Sequence, residues 1–580
     1  MAKKQWKKNC LTLSLVTLAG LSSTLYAVTP DDARGITTIT PGALQDRLQT
    51  PMFEAPVAKG KKITVPLDQQ KTPSQAGKIV FTLKSVSITG AQIYGPNELA
   101  SFYDEYIGTD ITLAQLYTIA DEITEKLRED GYVISKAYIP PQHISSGTAE
   151  IRIIGGFIDK VDFKGEMKES DMRFLDAYGK KILASNPLQL KVLERYALLA
   201  NDLPGIQSRI VLSPSDDEAG AANLTFFIEK KPYSGYATYN NRGTLYTGPQ
   251  QVAAGGSLDD LIAGGKIGVH TSAATEFNEL KYGQFYWNQY IGTDGLQFKF
   301  EVSETISNPQ FDLSELEILG VTQVYAAGLT YPLIRNHTEN WFTEFEIQGM
   351  NTRSITQFDD SLLYRDTIRS LAWGTTYNFS DKWLGSNSTQ FKVTKGIPLL
   401  GYTHTNASET DEPSTRNKGS AVFTKFNMSV SRLQSLPKRF SGLFALKGQY
   451  SFDRLLSSQE FSFGGSQFGL GYDPSEILGD QGVAAKLEIR WDARTAVFSQ
   501  LQYFASYDMG AVWHDSPLNV DEPGKESGSS VAFGARVGWT QYFNASITVA
   551  RPLTLKIPEN IAKDGSRRPW RGFFNLSARY

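Results

Sequence analysis

From Pro232 to the last residue, apolar and polar side chains alternate with a period of two. Leu296, Phe298, Phe300 and Val302 interleave with Gln297, Lys299, Glu301 and Ser303. Val422, Phe426, Met428 and Val430 interleave with Lys425, Asn427 and Ser429, and Val531, Phe533, Ala535, Val537 and Trp539 with Ala532, Gly534, Arg536, Gly538 and Thr540. Such alternation gives a strand one apolar and one polar face. About sixteen strands, at about 22 residues per strand and connection, fill the roughly 350 residues after Pro232. The last alternates Gly572, Phe574, Leu576, Ala578 and Tyr580.

Before Pro232 the pattern changes. Leu116, Ile119, Ala120, Ile123 and Leu127 recur at helical spacing. Thr112 with Gln115 makes a capping box at the start of that helix, and Gly131 ends it. Strands are expected at Val133–Ile139 and at Thr148–Ile154, where Ala149, Ile151 and Ile153 alternate with Glu150 and Arg152. Leu83–Gly90 (LKSVSITG) and Ile158–Gly165 (IDKVDFKG) lie 75 residues apart, 158 minus 83, and mark an internal repeat. The second copy predicts a helix around Leu190–Ala200 and strands at Ser208–Leu212 and Leu224–Glu229. Each copy therefore reads β-α-α-β-β.

The N-terminus sets the compartment. Lys3, Lys4, Lys7 and Lys8 precede an apolar run from Leu11 to Leu21, and Leu25-Tyr26-Ala27 offers a cleavage site before Val28. The one cysteine, Cys10, falls inside this segment, so the mature chain has neither disulfide nor cysteine metal site. Thr40-Pro41 opens a short helix, Pro41–Gln49, too short to be stable alone in water. It is either disordered or docked inside something. Polar linker follows from Thr50 to Gly77.

No later apolar run is long enough for a membrane helix, yet aromatics make up 12% of the chain. Eight of the nine tryptophans lie beyond residue 280. An exported chain with these features suggests a transmembrane barrel with aromatic girdles, closed because lipid cannot satisfy an open sheet edge. A net charge of −3 argues against a nucleic-acid partner. The five histidines lack metal-ligand spacing, and no phosphate loop or G-x-S-x-G elbow is present, so no catalytic residue, metal or cofactor is expected.

One stretch fits neither pattern. Phe461–Gly482 (FSFGGSQFGLGYDPSEILGDQG) holds six glycines yet also Phe461, Phe463, Phe468 and Tyr472. A backbone this permissive with side chains this apolar must tuck in, and the expected place is the pore.

The tandem units resemble POTRA domains. Pro140-Pro141-Gln142 with Gly147 matches the turn of the first such domain in two-partner secretion transporters. Leu193-Glu194-Arg195 with Asn201-Asp202-Leu203-Pro204-Gly205 matches the second domain's motif. Gly155-Gly156 departs from the usual Glu-Gly. With the barrel pattern and the long loop before strand twelve, the chain resembles the two-partner secretion (type Vb) transporters, the haemolysin-activator and filamentous-haemagglutinin transporter family of the Omp85 superfamily. That resemblance implies a signal peptide at 1–27, a plug helix and linker at 28–77, POTRA domains at 78–156 and 157–231, and a sixteen-stranded barrel at 232–580 with a lid loop at about 453–482. It implies export of one large unfolded adhesin or haemolysin-like exoprotein, recognised by its N-terminal secretion domain, with the short helix plugging the resting pore. It also implies contact with outer-membrane lipid, delivery to the barrel-assembly machinery through the Tyr580 strand, and a monomer. The rival readings are an Omp85-type assembly factor that inserts other barrels and a passive channel or porin.

The resemblance further assigns a lid motif. Its R-G-Y/F core reads Leu470-Gly471-Tyr472 here, within Phe461, Gly464, Gly465, Gly469, Leu470, Gly471, Tyr472, Asp473, Gly479, Asp480 and Gly482. Leu470 replaces the arginine, and Ser506 replaces the usual aromatic of the wall motif that carries Asp508 and Gly510. Asp508, the arginine's implied partner, could then be hydrated in the lumen, paired with Arg490 or Arg536, or facing a loosely held lid.

Overall fold

The computed structural model describes residues 72–580, apart from 91, 96, 145, 216–217, 260, 405–412, 516–523 and 555–569. The leader, the expected helix at 41–49 and nearly all of the linker lie outside the described residues.

The first unit runs β1 (Val80–Thr82), β2 (Ser85–Gly90), β3 (Asp110–Thr112), α1 (Leu113–Glu129), β4 (Lys136–Tyr138) and β5 (Thr148–Ile154). The second runs β6 (Phe157–Gly165), α2 (Glu169–Leu183), α3 (Leu190–Asp202), β7 (Ile206–Pro214) and β8 (Ala221–Lys230). Both sheets share one topology: the opening strand lies parallel to the closing strand, which also pairs with its antiparallel neighbour. The repeat thus extends from sequence to pairing. α1 begins at the Thr112–Gln115 capping box and is followed by Gly131 in the left-handed region, φ +92°. Its five periodic apolar residues are all buried, and the four Leu and Ile among them are each worth about 2 kcal/mol of transfer free energy.

Three expectations change. The strand expected at Val133–Ile139 shrinks to Lys136–Tyr138 because Ser135 belongs to the turn: its N–H donates to Tyr132 O. Leu83–Gly90 shrinks to Ser85–Gly90, since the Lys84 N–H turns away to the Gly147 carbonyl. In the first unit, the 3-10 turns Ala100–Phe102 and Asp104–Tyr106 occupy the chain position that α2 fills in the second.

Beyond residue 232 a closed barrel of sixteen antiparallel strands runs from Tyr233–Asn240 to Arg571–Arg579. The apolar half of the alternation faces outward: Leu487, Ile489, Tyr503, Tyr507, Phe533 and Ile547 are exposed. Inward positions include buried Ser303, Thr305, Thr322, Thr352, Asp366 and Asp508. A polar inner face against an apolar outer face is what a lipid-embedded barrel requires.

The ring closes between the sixteenth and first strands over five residue pairs, against eight in each flanking ladder. The Tyr580 N–H donates to Gly235 O at 2.8 Å, and the Gly235 N–H donates to Tyr580 O at 3.2 Å. The Tyr580 ring stacks on Tyr233 and Tyr542 at 5.6 and 6.4 Å between centroids.

Candidate functional site

The connection between the eleventh strand (Phe440–Ser451) and the twelfth (Gln481–Asp492) folds inward. Its core is a short hairpin, Phe461–Phe463 against Ile477–Gly479. Phe461, Phe463, Phe468, Leu470 and Tyr472 are all buried, so the loop packs its own aromatics against the inner wall of the barrel. Glycines on both surfaces make this possible. A Cβ on Gly482 would lie 2.1 Å from the Phe461 ring, and one on Gly510 2.3 Å from the Phe463 ring. In the loop, Gly464 and Gly469 adopt φ of +122° and +74°, which L side chains rarely tolerate. A Cβ on Gly471 would lie 2.7 Å from Pro552 N, one on Gly479 2.8 Å from Val512. Gly465 is likewise left-handed, φ +107°. Gly510→Val is expected to unseat Phe463 at about 2 kcal/mol of overpacking, read as faster protease cleavage within the lid.

The tip spans the inner wall from the thirteenth to the sixteenth strand. The Tyr472 hydroxyl donates to Ser529 O at 2.8 Å and accepts from the Ser529 N–H at 3.1 Å. The Gly471 N–H donates to Ser530 Oγ at 3.3 Å. The Leu470 N–H donates to Asp508 Oδ2 at 3.4 Å, as does the Ser530 hydroxyl. Leu470 packs with Ala532, Ala550 and Phe573. Ala532 is the register partner of Ser506, so the small wall residue and the shorter lid residue occur together.

Asp508 is fully buried, and its Oδ1 has no partner among the described residues. Of the open arrangements, pairing with Arg490 or Arg536 is overturned: both bond to Glu488, at 2.6 and 2.8 Å. These two arginines lie lower on the wall, in register with Phe504 and Gln502. The lid is not loose either. Arg571, on the sixteenth strand, pairs with Asp473 and donates to Gly471 O at 3.2 Å. Arg242, just past the first strand, donates to Leu470 O at 3.0 Å and lies 3.6 Å over the Phe573 ring. The cations that hold the tip come from the wall on both sides of the seam, and sequence reasoning missed both. Nothing in their local sequence marks them.

A second anchor sits at the base of the lid. Arg416, from the connection between the ninth and tenth strands, bonds Asp480 at 2.8 and 3.2 Å and Glu460 at 3.0 Å. Asp480 also accepts the N–H groups of Leu455 and Asp515 at 2.7 and 2.9 Å. Burial alone would raise the Asp480 carboxyl; Arg416 and these N–H groups outweigh it and hold it below the usual carboxylate range. The anchor is therefore intact above that range and is lost only as pH falls through the lowered value. Glu460, Asp480 and His514 converge within 4.8 Å, with the Arg416 guanidinium bonded to both carboxylates.

The POTRA motifs divide into two kinds. The first is internal. Gln142 imitates a strand, donating to Glu150 O at 2.8 Å and accepting the Glu150 N–H at 2.7 Å. Pro140 is buried, and a Cβ on Gly147 would meet Lys84 and Thr82 O within 2.9 Å. Gly156 abuts Ile134 O, 2.4 Å from where a Cβ would lie, so the second residue of the Gly155-Gly156 pair has no room for a side chain.

The second motif is a joint. Leu193 and Leu203 are core, Asn201 pairs with the Ser208 backbone, and Gly205 turns at φ +72° after Pro204. Arg195, however, donates to Asp294 O at 3.1 Å and Pro332 O at 3.0 Å. Asp202 takes a two-pronged bond from Arg335 at 2.8 and 2.7 Å, and Glu194 accepts the His337 N–H at 3.4 Å. Lys181 pairs with Asp294 and holds its carboxyl below the usual range. These partners lie at or beside the turns 292–295 and 336–338, at the barrel end nearest the tandem units. Asp202→Ala is expected to weaken this joint by about 2 kcal/mol, read as a broader distance distribution between spin labels on α2 and the barrel.

Comparison with known proteins agrees with this geometry. A family model described as haemolysin secretion/activation protein ShlB/FhaC/HecB matches residues 226–537. A model described as POTRA domain, ShlB-type, matches residues 81–156. The heme/hemopexin transporter protein HuxB of Haemophilus influenzae is 26% identical over 471 residues, 79% of this chain and 80% of the relative. The outer membrane transporter CdiB of Dickeya dadantii is 23% identical over 495 residues, 82% of this chain and 83% of the relative. The solved structure of CdiB from Escherichia coli has the same fold, with a TM-score of 0.69 at 18% identity over 96% of this chain and 100% of that chain. The chain belongs to the ShlB/FhaC/HecB family of haemolysin secretion/activation proteins and is a two-partner secretion transporter of the outer membrane, with its POTRA domains in the periplasm.

Proposed function

We propose that this transporter captures one large unfolded exoprotein at its POTRA domains and passes it through the barrel when the lid withdraws. The observation that carries this reading is a loop folded into the lumen, packed on the wall through its aromatics and tied to it by discrete anchors, Arg571–Asp473 and Arg416–Asp480. Below it, β2 and β6 are edge strands with a neighbour on one side only among the described residues. Such edges accept an extended client through main-chain bonds that tolerate sequence. In this reading the lid motif and Asp508 gate the pore, the helix at 41–49 plugs it, and the Tyr580 strand is what the barrel-assembly machinery receives. The working unit is one chain of signal peptide, linker, two POTRA domains and barrel, with the boundaries expected from the sequence.

The test is the amount of the cognate exoprotein in the medium, with and without this protein, while other outer-membrane barrels are quantified in parallel. Loss of that exoprotein alone is the expected result. The five-pair seam favours one other reading, an assembly factor that inserts barrels. Normal secretion with many barrels depleted would establish it instead.

A further inference from the structure

At the periplasmic rim, the connection 493–499 between the twelfth and thirteenth strands frames an open cleft of about 700 Å³. Two cations line it: Arg494 from this connection and Arg439 from the turn between the tenth and eleventh strands. Both are exposed, and neither has an ion pair among the described residues. The lining carboxylate, Asp492, already accepts a bond from Gln502 at 2.9 Å. Lys438 adds a further exposed cation beside Arg439.

The Lys438-Arg439 turn has an unusual backbone. Lys438 and Arg439 adopt φ of +57° and +66°. Two successive left-handed residues in a tight strand-to-strand turn are ordinarily Asn-Gly or Asp-Gly, which take that conformation with little strain. Here the turn carries two long cations instead.

The cleft lies beneath lipid-facing surface. Phe440, Trp491 and Tyr503 point outward and stack in a row, with centroids 6.4 and 5.8 Å apart. Leu487 and Ile489 continue that face toward the membrane centre, both more than half exposed. Aromatic rows of this kind sit at the headgroup level of a bilayer. A phosphate in the cleft and acyl chains on the adjoining apolar face would then belong to one molecule.

We infer that Arg439 and Arg494 form a binding site for an anionic phospholipid of the periplasmic leaflet. The guanidinium fork matches phosphate oxygens in two-pronged geometry, and a basic pocket at a membrane surface selects anionic headgroups. None of the residues lining the cleft takes part in the lid or POTRA-joint contacts, so the site adds a lipid contact to the transporter without entering its gating contacts.

The test is native mass spectrometry of the full-length protein in detergent, with phosphatidylglycerol or phosphatidylcholine added at equal concentration. Retention of phosphatidylglycerol at about tenfold higher occupancy is expected for the unaltered protein. In Arg439→Gln/Arg494→Gln that preference should disappear, while Lys180→Gln/Lys191→Gln, an equal loss of charge on the POTRA helices, should keep it. Heat-modifiable gel mobility reports that each variant is a closed barrel, and Arg494→Gln alone serves if the double variant is not. Equal retention of both lipids, or unchanged preference in the double variant, would overturn the proposal. Displacement of phosphatidylglycerol by millimolar inorganic phosphate would assign the cleft to a free anion and overturn it equally.

Discussion

Arg571→Ala is expected to open the resting pore. Asp473 is 4% exposed, and Arg571 both pairs with its carboxylate and holds the Gly471 carbonyl. Removing the guanidinium leaves a buried charge without its cation and an orphaned backbone acceptor beside it. Breaking a buried pair in this way costs about 3 kcal/mol at the lower end of its usual range. The cost falls on the closed state alone, because a withdrawn lid returns Asp473 to water. A closed-to-open ratio would fall by about a hundredfold. The measurement is single-channel conductance in planar bilayers, where frequent large openings should replace a mostly quiet trace. A trace like that of the unaltered protein would show that Arg571 does not hold the lid.

Leu470→Arg is the second large effect, and its sign is opposite to the one that restoring the usual lid arginine would suggest. Arg242, Arg571, Asp473 and Asp508 already surround the tip, two cations against two anions, and Lys486 adds a third cation opposite Asp508. A third guanidinium would enter a buried site with no further counter-charge, where Ala532, Ala550 and Phe573 now receive an aliphatic side chain. Lid closure should weaken by about 3 kcal/mol, the scale for an uncompensated buried charge. Adding Arg242→Leu removes one wall cation and returns the count to its original value, with the unpaired Asp508 Oδ1 available to the new arginine. The double variant should therefore gate more normally than Leu470→Arg, a coupling measurable as a double-mutant cycle on conductance. If the two substitutions simply add, the cations do not share one site.

The sequence carries the barrel openly because alternation is a local property: each strand's faces are written in its own residues, and Phe533 and Tyr507 point where the pattern puts them. The same holds for α1, whose cap, apolar stripe and terminating glycine lie within twenty residues. The Gly-rich loop is legible as an insert because aromatics and glycines together fit no other place. What holds it is not legible. Arg242 and Arg571 occupy ordinary positions in ordinary strand-end sequence, and only the sheet's register and, for Arg242, ring closure bring them within reach of residue 470. A side chain's partner across hundreds of residues is set by barrel register, which a one-residue change in any strand would shift. The second POTRA motif was legible through the family resemblance, but that Glu194, Arg195 and Asp202 reach the barrel emerges only from where its turns fall.

The two arginines at the lid tip stand 329 positions apart, 571 minus 242, near opposite ends of the barrel segment. The loop they grip comes from between the eleventh and twelfth strands. Its holdfast at the tip is therefore complete only when the first and sixteenth strands have met and Arg242 joins Arg571. A barrel still awaiting closure carries a loop that lacks its Arg242 contact at Leu470 O, so the last of the lid's anchors forms with the seam.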